Sequence, residues 1–217
     1  MIELFGHPFS SYTWKALIPL YENATPFVFR QLGPDHPENG AEFARRWPVA
    51  KFPLLVDNSQ QVMEATAIIE YLDAVHPGPT RFLPADPAAA REVRMLDRIF
   101  DHYVMTPVQE AVSDALRPPE RRDPMAPEQA KRRLETIYLW LDERMRDREW
   151  AAGDFSLADC AAAPSLFYAD WVHPFAERLP ALSAYRARLL ARPSVARCVE
   201  EARPYRPLFP LGAPDRD

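Results

Sequence analysis

The sequence predicts an α/β domain of order βαβαββα followed by an all-helical domain. Two observations carry this. Strand and helix signals alternate over residues 1–78, and strand signals disappear from Asp86 onward. A short proline-flanked stretch, 79–85, reads as the linker, leaving an α/β unit at 1–78 and a helical unit at 86–217.

Within the first unit, Ile2 to Phe5 is a short apolar run of the kind that forms a buried strand. Ser10 and Ser11 supply capping hydroxyls for a helix carrying Trp14, Leu17, Ile18 and Tyr21 on one face. Pro19 falls inside that helix and is expected to kink or shorten it. Pro26 to Phe29 reads as a second strand, and the Gly-, Pro- and Asp-rich stretch 33–40 as a loop. Pro53 to Val56, the turn Asp57-Asn58-Ser59 and Gln61 to Met63 form a hairpin signal. Ile68, Tyr71, Leu72 and Val75 then make a helical stripe, stopped by Pro77-Gly78.

In the second unit, Asp86 caps a helix that Pro87 opens. That helix runs through Phe100 and Tyr103, with a bend expected at Pro107. The proline-rich stretch 117–127 is a loop. A long amphipathic helix with Leu134, Ile137, Tyr138, Leu141 and Met145 follows, then shorter helices near 156–171, 179–191 and 193–202. The tail from Pro204 is expected to be extended, packing Tyr205, Leu208, Phe209 and Leu211 on the body.

With 47% apolar and 26% charged residues the balance is that of a globular protein, and no apolar run approaches the ~20 residues of a spanning helix. A net charge of −5, with arginines interleaved among acids, speaks against nucleic acid. The N-terminus lacks the pattern of a secretion signal, so a cytoplasmic protein is expected. Cys160 and Cys198 form no C-x-x-C pair and read as core thiols. His7, His36, His76, His102 and His173 have no metal-ligand spacing, so no metal is expected.

Four local patterns, in order, resemble the cytosolic glutathione transferase superfamily. HPFSSYTWKAL, with Ser10 and Lys15 in register, is similar to the serine-type members. Its Ser-Ser-x-x-Trp-Lys run looks nearest the zeta class, with Tyr12 where that class has cysteine, a departure that counts against the zeta isomerase activity. VAKFPLLVD resembles the segment whose cis-proline follows the residue that pairs its backbone with glutathione, here Phe52 and Pro53, with Ala50 replacing the family glycine. MEATAIIEYL resembles the helix start that holds the γ-glutamyl end. Glu64 matches, Ala65 replaces a serine, and Thr66 offers a neighbouring hydroxyl. DFSLADCAAA resembles the family's folding signal, a capping box of Ser156 and Asp159.

The resemblance implies a thioredoxin-like first domain that binds glutathione as co-substrate and a helical domain with a hydrophobic pocket. It implies a homodimer and a detoxification-type transferase joining glutathione to a small hydrophobic electrophile. Ser10 is the catalytic hydroxyl implied, with Ser11 next and Tyr12 a more distant option. Lys51, Phe52, Pro53, Glu64, Ala65 and Thr66 form the expected glutathione site, and Phe9, Tyr12, Phe100, Tyr103 and Trp171 the expected pocket. The alternative is a non-catalytic relative serving as a carrier or interaction module, which the loss of serine at Ala65 keeps open.

Overall fold

The computed structural model describes residues 1–175 and 178–217. Strand β1 (Ile2–Gly6) is central, flanked by the parallel β2 (Phe27–Gln31) and the antiparallel β3 (Leu54–Asp57), with β4 (Gln60–Met63) outside β3. The sheet order is therefore β2-β1-β3-β4, and Leu4 lies between Phe29 and Leu55. Helices α1 (Ser11–Glu22), α2 (Pro37–Arg46) and α3 (Ala65–Val75) complete the thioredoxin-like βαβαββα unit. The helices α4 (Pro87–Ile99), α5 (Thr106–Ala115), α6 (Ala126–Met145), α7 (Leu157–Val172), α8 (Pro180–Ala191) and α9 (Pro193–Ala202) follow.

Several sequence expectations are corrected. Helix α1 continues through Pro19 to Glu22. The proline removes one donor near the end of the helix, and Asn23 N–H still closes onto the Pro19 carbonyl at 3.1 Å. Half of the expected 33–40 loop belongs to α2, because Pro37 takes the first helical position, where its missing N–H is not needed. The bend at Pro107 takes the form of a π-helical stretch, Phe100–Met105, between α4 and α5. The tail opens with a 3₁₀ turn, Arg203–Leu208, before becoming irregular. Only Phe209 of its apolar residues is buried, against Tyr168 and Trp171, while Leu208 and Leu211 are exposed.

One continuous apolar core joins the sheet face covered by α1 and α3 to the helical bundle, and a smaller cluster of Phe5, Phe43, Leu54 and Val56 lies under α2. Trp14 of α1 packs on Phe167 and Tyr168 of α7, with ring centres 4.9 and 5.5 Å apart. Cys160 and Cys198 are buried free thiols. At the start of α7, Asp159 accepts from Ser156 N–H (2.9 Å), Ala151 N–H (2.9 Å) and the Tyr185 hydroxyl (2.6 Å). Asp159 therefore works as a structural acid, satisfied within the core.

Candidate active site

The turn between β1 and α1 is tied on every side. Gly6 lets Thr13 pack against it, since a Cβ there would meet the Thr13 side chain at 2.6 Å. Thr13 Oγ1 accepts from His7 N–H (3.3 Å), and the His7 carbonyl accepts from Ser10 N–H (3.0 Å). The Pro8 carbonyl accepts from Trp14 Nε1 (2.5 Å), and the Phe9 carbonyl accepts from the Tyr168 hydroxyl (2.9 Å), so α7 helps hold the turn. Ser10 is the N-cap of α1. Its Oγ accepts from Thr13 N–H at 3.3 Å, which engages a lone pair and leaves its proton available to donate.

This turn borders a cleft of about 530 Å³. One wall is polar, with His7, Ser10, Ser11, Tyr12 and Lys51, together with Phe9 and Phe52. Opposite stand Met105, Val108, Val112 and Leu116 from the π-helical stretch and α5, with Gln109 and Ser113 among them. Leu208, Phe209 and Pro210 of the tail close a further side. The tail is anchored by Arg216 on buried Asp170 and by the Tyr205 hydroxyl, which accepts from Gln31 at 2.7 Å.

The Phe52–Pro53 bond is cis, and Phe52 is partly exposed. Ala50 sits at φ +56°, in the left-handed region where glycine is at ease, which accounts for the glycine at this place in the resembling pattern. Glu64, just before α3, is exposed and also has positive φ, +67° with ψ 119°. No side chain caps α3, which leaves the N–H groups of its first turn without a side-chain partner. Tyr12 is pushed up by burial first and then by the charges of Asp101, Glu64 and Asp97, so it is a neutral phenol that can donate.

Seven expected site residues lie outside the cleft's lining: Pro53, Glu64 and Ala65 do not border it, nor do the four that follow. Thr66 faces the interior, its Oγ1 accepting from Lys15 Nζ (2.9 Å) and donating to Asp97 (2.9 Å), so its hydroxyl is already used. Phe100 is 0% exposed and belongs to the core. Trp171 is 8% exposed and stands behind Phe9, 6.3 Å between ring centres. Tyr103 borders a second groove, of about 480 Å³, with Ile99, Arg133, Thr136, Ile137 and Trp140. Helical periodicity marks all four as inward or clustered without saying toward what.

Two features escaped the sequence reading. His7 was weighed only as a metal ligand, yet it borders the cleft beside Ser10. Lys15, read as part of a pattern, is 1% exposed, with Nζ 2.6 Å from both Asp97 and Asp101. Burial pushes Asp101 up, while Lys15 opposes that shift.

Residues 4–80 match the family model for the glutathione S-transferase N-terminal domain, and residues 104–193 the model for its C-terminal domain. The chain belongs to the glutathione transferase superfamily. It is similar to a probable maleylacetoacetate isomerase of Vibrio cholerae, 28% identical over 93% of this chain and 96% of that protein. A probable glutathione S-transferase of Nicotiana tabacum is 31% identical over 52% of this transferase-family chain and 46% of its own length. Among solved structures, a glutathione S-transferase of Methylobacterium radiotolerans in complex with glutathione sulfonate has a TM-score of 0.77 at 28% identity, over 91% and 94% of the two chains. A Methylobacillus flagellatus glutathione S-transferase with glutathione bound shares the fold at a TM-score of 0.81 and 24% identity, over 91% and 98%.

Proposed function

We propose that the protein is a glutathione transferase that joins the thiolate of glutathione to a hydrophobic electrophile in the cleft. The observation that carries this reading is Ser10. Its hydroxyl is fixed by capping α1, its proton is free, and it borders a cleft whose facing wall is apolar. In water a thiol of pKa near 8.5 is only about 3% ionised at pH 7. A hydrogen bond from Ser10 to sulfur, with the positive end of α1 nearby, favours the thiolate. Because nucleophilicity falls with pKa, that gain is modest, and positioning of the electrophile by the helical wall supplies most of the acceleration.

The donor set suits glutathione. Ser10 meets the sulfur, with Ser11 beside it, and Phe52 before Pro53 offers its backbone to the cysteinyl part. Glu64 and the uncapped N–H groups at Ala65 and Thr66 receive the ammonium and carboxylate of the γ-glutamyl end, and Lys51 adds a cation. Phe9 and Tyr12 border the electrophile. The exposed apolar surface of Met95, Tyr103, Leu139 and Trp140 on α4, the π-helical stretch and α6 supports the homodimer that the resemblance implies. Retention on immobilised glutathione, followed by turnover of an activated aryl halide, tests the reading. Ala65 favours one rival, a carrier that has lost glutathione. Failure to bind at millimolar glutathione would establish that rival and overturn the enzyme.

A further inference from the structure

His7 follows β1 directly and is held by its backbone at both ends, N–H to Thr13 Oγ1 and carbonyl from Ser10 N–H. Its ring is held too. Nδ1 accepts from Phe9 N–H at 3.1 Å, and the ring lies edge-on to Tyr205, 4.7 Å between centres. A backbone N–H is always a donor, so Nδ1 must present its lone pair, and the ring's single proton sits on Nε2. Burial lowers the His7 pKa, and adding a proton at Nδ1 would set two donors against each other, so the ring stays neutral. Among the described residues Nε2 has no hydrogen-bond partner, while His7 borders the cleft.

We propose that His7 is a fixed-tautomer hydrogen-bond donor to the electrophile, and that the cleft accordingly takes conjugated carbonyl compounds. This rests on the transferase reading above. The direction follows from the neighbours. The γ-glutamyl end of glutathione is proposed at the start of α3, beside Glu64. His7 instead meets Tyr205 of the tail, the segment whose Leu208, Phe209 and Pro210 complete the apolar side of the cleft. In the addition, sulfur forms a bond to the β-carbon, the carbon–carbon π pair shifts to join the α-carbon to the carbonyl carbon, and the carbonyl π pair moves onto oxygen. That oxygen, now negative, receives a hydrogen bond from Nε2–H. His7 keeps its proton throughout, the thiol proton having left to solvent, and the enolate takes a proton at its α-carbon from water. A donor aimed at charge that grows only during reaction stabilises the transition state more than the ground state.

The test uses two substitutions with opposite chemistry. His7→Asn keeps an acceptor for Phe9 N–H and lacks the outer donor, whereas His7→Gln returns an N–H near the Nε2 position. Turnover is measured with an α,β-unsaturated ketone and with benzyl bromide, whose halide is a weak acceptor. For His7→Asn the ratio of ketone to bromide turnover should fall about 10- to 100-fold, with the KM for glutathione unchanged. His7→Gln should recover most of that ratio. An unchanged ratio in His7→Asn, or no recovery in His7→Gln, would overturn the role. Nitrogen NMR of histidine-labelled protein at pH 7 gives a readout independent of activity. A bare Nδ1 and a protonated Nε2 are expected, and the reverse tautomer or an imidazolium would sink the inference. Absence of turnover by the unaltered protein on either compound overturns the transferase reading and this role together, whereas turnover that His7→Asn leaves intact overturns this role alone.

Discussion

The N-termini of α1 and α3 are built in opposite ways, and of the two the start of α1 is the one that lines the cleft. The start of α1 is capped by Ser10 within a turn whose carbonyls are held by Ser10 N–H, Trp14 and Tyr168. The start of α3 has no side-chain cap, and Glu64 before it is held in a sparsely populated conformation that costs about 1–3 kcal/mol. A satisfied terminus offers a ligand one well-placed hydroxyl. An unsatisfied one offers several backbone donors and a partial positive charge. The first suits a sulfur and the second a carboxylate, so the difference between the two ends matches the two ends of the proposed ligand.

Lys15 connects them. It rises from α1, is buried from solvent, and reaches Thr66 of α3, Asp97 of α4 and Asp101 of the π-helical stretch. Replacing it by methionine keeps the stem and removes the charge, leaving two buried carboxylates with Thr66 and the partly exposed Arg98. Lys15→Met should therefore destabilise the fold by about 3–5 kcal/mol, seen as a lower urea midpoint. The pH dependence carries a definite sign. Without the lysine, burial and then the charge of Asp97 hold Asp101 above the ordinary carboxylate range, so its protonated form is favoured by folding. The deficit should shrink as the pH falls from 7 toward 5. A deficit that does not change over that range would mean that the loss comes from altered packing and not from uncompensated carboxylates.

The α3 end is sharpened by restoring what the resembling pattern has there. Ala65→Ser adds a hydroxyl at the first helical position, beside the uncapped N–H groups. One hydrogen bond to a charged group is worth about 1.5–3 kcal/mol, so glutathione should bind about ten-fold tighter or more, by calorimetry, with little change in stability. Unaltered affinity would place the γ-glutamyl carboxylate away from α3.

How legible these ends were depended on how local their causes are. The cap at Ser10, the hairpin at 57–59 and the Ser156–Asp159 box are settled by residues within four positions of one another, and each was readable. The partners of Lys15 lie 51 to 86 residues away, and nothing in the local pattern of α1 names them. Thr66 was read outward because a hydroxyl at a helix start usually caps or binds, but the long-range pull of Lys15 and Asp97 turned it inward. Phe100 and Tyr103, three positions apart, look alike in sequence. The π-helical stretch that Pro107 follows sends one into the core and leaves the other on a separate groove. His7 was missed because its role depends on which ring nitrogen is occupied, a fact set by Phe9 N–H and visible only in three dimensions.

The α1 end gives the smallest expected effect and the cleanest separation of fold from chemistry. Ser10→Ala removes both the acceptor that caps Thr13 N–H and the donor proposed for sulfur. Loss of the cap should cost about 1 kcal/mol in stability, and loss of the donor should lower turnover at pH 7 by only a few-fold, because the more basic thiolate it leaves is also more nucleophilic. Ser10→Asp splits the two. Aspartate caps a helix as well as serine does, so stability should return to that of the unaltered protein. Yet its carboxylate has no proton to give and repels a thiolate, so the thiol pKa of bound glutathione should rise above that in Ser10→Ala, measured by the ultraviolet absorbance of the thiolate across a pH titration. Equal thiol pKa values in the unaltered protein and both variants would make Ser10 a cap and nothing more. The two helix ends would then differ in structure but not in chemistry.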